Sequence, residues 1–250
     1  KEKGDQYDKA YSEIDDMTVK MRLEGDMKAF DTATMYYKKA VEDGQTSFRM
    51  HAVYEGGMSD MMNNIDFNGP GSTDMLSMNR MMYEQLKDVA VFEGTERING
   101  VNTTVLYVAE TTDFMSMAEA SAMGDEPVEL KDLRIYIDEK KILLHRMSMK
   151  APVEEAGGDM QMTVEFGDYR KVGPIDHPFV TTMTMQNPLS SDQQAEMQAQ
   201  MAQMEAMLEQ LPENQRGPVR DMMKSLGQQE LSFSMRVEDL KVNKGVPAEY

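Results

Sequence analysis

Three histidines, at positions 51, 145 and 177, are the side chains best suited to metal binding or acid–base catalysis. They are far apart in the sequence, and none belongs to a His-x-x-x-His or carboxylate-spaced pair of the kind that marks a metal site. The sequence also contains no Gly-x-Ser-x-Gly elbow and no glycine-rich phosphate loop. We therefore predict structural roles for the histidines, and no catalytic residue, metal site or cofactor. The protein is predicted not to be an enzyme.

Methionine is unusually frequent, with 28 in 250 residues, and tryptophan is absent. Sixteen methionines fall in three segments: seven in residues 57–82, three in 115–123 and six in 197–223. Because the side chain is unbranched and polarizable, methionine suits surfaces that repack around apolar partners of varying shape. It also fills gaps in ordinary cores, so core packing is the alternative. The functional interpretation is a methionine-rich lid over a sheet that holds an apolar ligand.

A copper-binding array is a third interpretation of the methionines, because thioethers are soft ligands. Such a site needs several thioethers that converge on one point. Met-Ser-Met and Met-Gln-Met occur in the chain, but within one strand this spacing only puts two methionines on the same face. The sequence alone therefore favours an apolar surface over a metal site.

The elements that position these side chains begin with a hairpin at residues 89–109. Asn99-Gly100 lies between two β-branched and aromatic runs, and both residue types tolerate the positive φ angles of a type I′ turn. A two-residue turn predicts these facing pairs on one side: Ile98–Val101, Gly94–Val105, Phe92–Tyr107 and Ala90–Ala109.

Alternation of apolar and polar residues predicts further strands along the chain. They cover residues 17–24, 33–39, 47–54, 133–137, 142–150, 160–166, 179–185 and 231–238. Apolar residues at helical spacing predict a helix after Ser72 or Thr73, and a helical pair at 191–226 that begins at a Ser-Ser-Asp cap. We read the chain as one domain, 1–250, with a methionine-rich helical insertion at 191–227.

Charge and composition exclude several partners. The formal net charge is −18, which opposes binding to nucleic-acid phosphates or anionic lipid headgroups. There is no cysteine, so neither a disulfide framework nor a thiolate metal site is present. No apolar run approaches the roughly 20 residues needed to cross a bilayer, so no transmembrane segment is predicted.

Four runs, in this order, resemble the LolA-type outer-membrane lipoprotein carriers and their LppX-like relatives. They are EGTERINGVNTTVLYV (93–108), LRIYIDEKK (133–141), FGDYRKVGPIDHP (166–178) and VEDLKVNKGVP (237–247). The resemblance implies an α+β, mainly antiparallel β fold, in which an unclosed half β-barrel and a helical lid surround an apolar cavity. It also implies a place in the periplasm or cell envelope and the acyl chains of a lipoprotein or another lipid as partner.

The leading hypothesis is a non-enzymatic carrier that holds an acyl chain or another elongated apolar ligand between sheet and lid. The predicted ligand contacts are Met75, Met78, Met82, Met197, Met201, Met204 and Leu208 in the lid, with Phe92, Tyr107 and Phe166 on the sheet. An alternative is an envelope sensor or interaction module that docks a protein partner through the helical pair. An enzyme would need a cluster of perturbed ionisable groups in one pocket.

Overall fold

Ten β-strands make up the described part of the chain. The computed structural model describes residues 9–10, 12–25, 30–42, 45–57, 59, 63, 88–110, 131–141, 143–153, 158–186 and 230–248. In chain order the strands are β1 (Asp16–Gly25), β2 (Thr32–Glu42), β3 (Gln45–Glu55), β4 (Val91–Ile98), β5 (Val101–Glu110), β6 (Lys131–Asp138), β7 (Leu144–Val153), β8 (Gly158–Val172), β9 (Ile175–Gln186) and β10 (Glu230–Val242). Each strand predicted from alternation is present.

All ten strands form one antiparallel sheet in the order β3-β2-β1-β10-β9-β8-β7-β6-β5-β4. Every neighbouring pair except β1 and β10 is also consecutive in sequence, so two meanders meet along β1 and β10. The pairing of β1 with β10 therefore joins the first strand of the chain to the last. Strands β3 and β4 form the two edges of the sheet.

Two polar side chains join the start of β1 to the end of β10. The Asn243 Oδ1 accepts hydrogen bonds from the backbone N–H groups of Asp15 (2.7 Å) and Asp16 (3.3 Å), and its Nδ2 donates to the carbonyl of Glu13 (2.7 Å). In return, the Asp16 carboxylate accepts the backbone N–H groups of residues 244 and 245. Asn243 adopts a φ of 54°, a left-handed conformation that asparagine tolerates better than most residues.

The Asn99-Gly100 hairpin is confirmed. The φ angles of Asn99 and Gly100 are 48° and 84°, both positive as a type I′ turn requires. Near the turn the register is as predicted, with Ile98 opposite Val101 and Gly94 opposite Val105. Beyond Gly94 the register shifts by one residue at Glu93, so Phe92 faces Leu106 and Val91 faces Tyr107. The predicted pairing of Phe92 with Tyr107 is therefore wrong.

Buried apolar side chains form two main clusters on the sheet. The first centres on β1 and its neighbours and contains Ile14, Met17, Val19 and Tyr37 among its most buried members. The second lies on β5 to β7 and is built around Ile135, which is fully buried. The hydrophobic effect of these two clusters is the main stabilising contribution that the described residues show.

The predicted α+β class with a helical lid is wrong for this structure. The described residues form ten antiparallel strands in an open sheet and no helical element, and no lid or lidded cavity is found among them. Alternation within each strand predicts the strand correctly, but it contains no information about closure of the sheet or about what covers it. The two segments with helical spacing, 73–86 and 191–226, lie outside the described residues.

Candidate functional site: the apolar face of the sheet

One face of the sheet is apolar across most of its width. Cross-strand pairing links one row of side chains from β10 to β4, each directly opposite the next. In sheet order this central row consists of Phe233, Met183, Val164, Met147, Ile135, Leu106 and Phe92. Because side chains alternate between the two faces of a strand, the residues two positions away extend the same surface. We call this side of the sheet the apolar face.

The middle of the apolar face is only half covered. Ile135 and Val164 are buried, whereas Met147, Met183 and Phe233 are half-buried. Phe166 and Met183, together with Met185, stand between the two buried clusters and belong to neither. We call these three residues the β8–β9 strip. Half-exposed apolar side chains that lie between two buried clusters form a surface suited to an apolar ligand.

The opposite face carries ion pairs and hydroxyl pairs, and near β4 to β6 it also carries a small buried cluster around Tyr136. Arg146 donates to Glu165 on β8 at 2.6 and 2.9 Å, and its guanidinium lies 5.5 Å from the ring centre of Tyr136. Thr182 and Ser234 pair their hydroxyl groups at 2.8 Å across β9 and β10. Apart from that cluster this face is polar, and the contrast with the half-exposed β8–β9 strip makes the apolar face the candidate binding surface.

The three sheet residues predicted as ligand contacts have different locations. Phe166 lies in the β8–β9 strip, half-buried on the apolar face. Phe92 is at the outer edge of that face on β4 and is 66% exposed. Tyr107 lies on the polar face, because the extra residue at Glu93 separates it from Phe92. The structure does not bring these three side chains together.

A polar network holds Tyr107 on that face. Its hydroxyl donates to Asp132 at 2.9 Å, and Lys150 donates to the same carboxylate at 2.8 Å. These hydrogen bonds, first that of Lys150, hold the pKa of Asp132 below its ordinary value. Arg134 lies 5.0 Å from the centre of the Tyr107 ring and pairs with Glu93. Asp132 has a φ of 53° at an irregularity in β6, and the sequence contains no signal for it.

The predicted lid residues cannot be placed. They lie outside the described residues, as does the whole 191–227 segment on which the interaction-module alternative depends. The residues concerned are Met75, Met78, Met82, Met197, Met201, Met204 and Leu208.

His145 is buried without a hydrogen-bond partner for its Nε2 atom in the described part of the chain. Its ring centre lies 5.5 Å from that of Tyr169. The register between β6 and β7 shifts here, since Tyr136 faces Arg146 but Ile137 faces Leu144, and His145 is left as the extra residue. Burial lowers the pKa of His145, so the neutral imidazole is favoured.

The described residues contain neither a metal-binding cluster of side chains nor a membrane-spanning helix. They contain no group of three or more histidine, cysteine, aspartate or glutamate side chains that could bind a metal ion. Among the same residues no helix is long and apolar enough to span a membrane.

The described residues thus form an open antiparallel sheet with the β8–β9 strip on its apolar face. Several solved structures are similar to it. One is a Vibrio parahaemolyticus domain provisionally described as an outer membrane lipoprotein-sorting protein, with 12% identity, a TM-score of 0.44 and coverage of 98% of this chain and 94% of that one. A DUF1329 family protein from Desulfovibrio piger has 10% identity, a TM-score of 0.45 and coverage of 100% and 95%. A LolA superfamily protein from Nitrosomonas europaea has 10% identity, a TM-score of 0.38 and coverage of 99% and 94%.

The Nitrosomonas europaea structure is described as a LolA superfamily protein, the group that the four sequence runs resemble. At these identities and TM-scores the likeness carries no argument about what this chain binds. No protein-family model matches the chain, and no curated protein matches it in sequence.

Proposed function

We propose that the protein is a non-enzymatic binding protein that holds an elongated apolar ligand, such as an acyl chain, against the apolar face of its sheet. The β8–β9 strip carries the proposal, because Phe166, Met183 and Met185 are apolar, half-exposed and flanked on both sides by buried clusters. Methionine side chains adjust to ligands of varying shape. The location we propose is the bacterial cell envelope, as the sequence resemblance implies.

Burial of methylene groups would drive the binding. Each buried methylene contributes roughly 0.8 kcal/mol, so a chain with about ten methylenes in contact with the face would gain about 8 kcal/mol before the cost of association. The central row provides a continuous apolar track across seven strands for such a chain. The ion pairs of the opposite face do not provide an apolar surface of this kind for an alkyl chain.

The test is binding of a fluorescent long-chain fatty acid to the full chain. Met183→Glu puts a carboxylate in the strip, and burial of a charge against an alkyl chain is costly, so we expect the affinity to fall by at least about tenfold. Thr163→Glu is the matched control, because Thr163 is on β8 beside Val164, the cross-strand partner of Met183, and faces the other side. Its affinity should stay near that of the wild type.

Two further variants keep the test decisive. Met183→Leu preserves volume and apolar character and should retain binding. If Met183→Glu fails to fold, Met185→Gln places an uncharged polar group in the same strip and should also weaken binding. Unchanged binding by folded Met183→Glu or Met185→Gln, or equal weakening by Thr163→Glu, would contradict the assignment of the ligand to this face.

A further inference from the structure

Three Met-x-Met sequences lie on three adjacent strands of the sheet. They are Met147-Ser148-Met149 on β7, Met160-Gln161-Met162 on β8 and Met183-Thr184-Met185 on β9. Within each sequence, strand alternation puts both methionines on the same side. Pairing between the strands puts all three pairs on the apolar face, so six thioethers occupy one patch.

Three of these methionines form a straight row across the strands. Met149 on β7 pairs with Met162 on β8, and Met162 pairs with Met185 on β9. Directly opposite residues of an antiparallel pair have Cβ atoms about 4.5–5.5 Å apart. A methionine side chain has three rotatable bonds, so the outer two sulfurs can lean inward and meet above the sulfur of Met162. We call Met149, Met162 and Met185 the methionine row.

The methionine row is reachable from solvent at one end. Met149 is 6% exposed and packs in the second buried cluster, whereas Met162 and Met185 are half-buried. Met147 and Met183 stand two residues away on the outer strands, about 7–8 Å from Met162 along the diagonals of the sheet. The patch therefore combines methionine side chains that strand pairing places together with partial exposure of Met162 and Met185.

Neutral thioether sulfur is a soft ligand that selects Cu(I) over the hard cations, which prefer oxygen. We propose that the methionine row is a Cu(I) site in which three thioether sulfurs bind one ion. This function goes beyond the binding of an apolar ligand and does not depend on it. The net charge of −18 favours the approach of a cation. Because the row shares Met185 with the β8–β9 strip, Cu(I) and an apolar ligand are expected to compete.

The test is a titration of the full chain with Cu(I), kept reduced by ascorbate without oxygen, against the chelator bicinchoninate. The variant replaces Met149, Met162 and Met185 by leucine, which removes the sulfurs and keeps the apolar volume. Loss of an outer-shell partner alone costs about 10- to 100-fold in metal affinity, so loss of the ligands should weaken Cu(I) binding by at least about tenfold. Sulfur-only coordination in X-ray absorption of the wild-type complex is also expected.

The matched control replaces Met17, Met21 and Met235 by leucine. These methionines are on the same side of the sheet but do not pair with one another, so the control should bind Cu(I) as the wild type does. The proposal is overturned if the wild type does not compete with bicinchoninate, if the row variant matches the control, or if nitrogen or oxygen ligands dominate the spectrum. Fatty-acid binding by the row variant separates the two proposals, since leucine should preserve it.

Discussion

Asn243 connects the ends of the sheet, and its replacement has a predictable cost. The Asn243→Ala variant removes three hydrogen bonds from the side chain to the backbone of residues 13, 15 and 16. Each hydrogen bond contributes about 0.5–1.5 kcal/mol net, and the lower half of that range applies at this exposed position, so their loss costs about 1.5–3 kcal/mol. Alanine at a φ of 54° adds about 1–2 kcal/mol of conformational strain. The expected total is about 2.5–5 kcal/mol.

The Asn243→Gly variant separates the two contributions. Glycine adopts the left-handed conformation without strain but also lacks the side-chain hydrogen bonds, so it should be more stable than the alanine variant by about 1 kcal/mol. Urea denaturation of the wild type and both variants, at one pH and with unchanged m-values, measures these differences. If both variants unfold at the wild-type midpoint, the connection between β1 and β10 does not stabilise the sheet. If glycine and alanine are equally destabilising, the argument from φ is wrong.

Three further predictions concern core packing, the lack of room for a side chain at a glycine, and the pH dependence of stability. Ile135→Ala should lower the free energy of unfolding by about 2–5 kcal/mol, because the Ile135 side chain is fully buried. Phe92→Ala, at a residue that is 66% exposed, should change it by less than about 0.5 kcal/mol. The midpoints of urea denaturation distinguish the two variants. Gly25→Ala should be destabilising in thermal melts by more than about 1 kcal/mol, because φ is 122° and a Cβ atom would lie 2.5 Å from the carbonyl oxygen of residue 232; an unchanged melting temperature would contradict this. Burial lowers the pKa of both His145 and His177 below 6.5. As the pH falls, the unfolded state therefore binds protons before the folded state does, so the free energy of unfolding is highest above about pH 6.5 and decreases below it. The His145→Phe variant should lose less stability on acidification than the wild type. If both proteins show the same pH dependence of unfolding, His145 is not buried as described.

The strands and the Asn99-Gly100 hairpin were predictable because their sequence signals are local. Alternation follows from the extended backbone, in which successive side chains point to opposite faces, so a run such as residues 17–24 identifies its own strand. The Asn99-Gly100 turn was predictable for the same reason, since its residue types match the φ angles that the turn needs. Neither inference requires knowledge of a distant residue.

The irregularities in register were only partly predictable. One extra residue at Glu93 put Phe92 and Tyr107 on opposite faces, and another at His145 left that side chain without a cross-strand partner. A shift of one residue moves every side chain beyond it to the other face. Gly94, a glycine inside a strand, was a signal for the first irregularity, because such a glycine often marks a bulge. Its neighbours do not show which residue is extra, so the predicted site combined residues that the structure separates. Only Phe166 of the three predicted sheet contacts lies in the β8–β9 strip.

The sequence by itself determined the ten strands, the type I′ hairpin, the absence of cysteine and the strong negative charge, because each depends on composition or on neighbouring residues. Only the tertiary structure decided that β1 pairs with β10, that the sheet is open, and that three Met-x-Met sequences stand side by side. The reason is physical: the direction of a side chain is set by the dihedral angles of its own strand, whereas the neighbour of that side chain is set by pairing between strands that are distant along the chain.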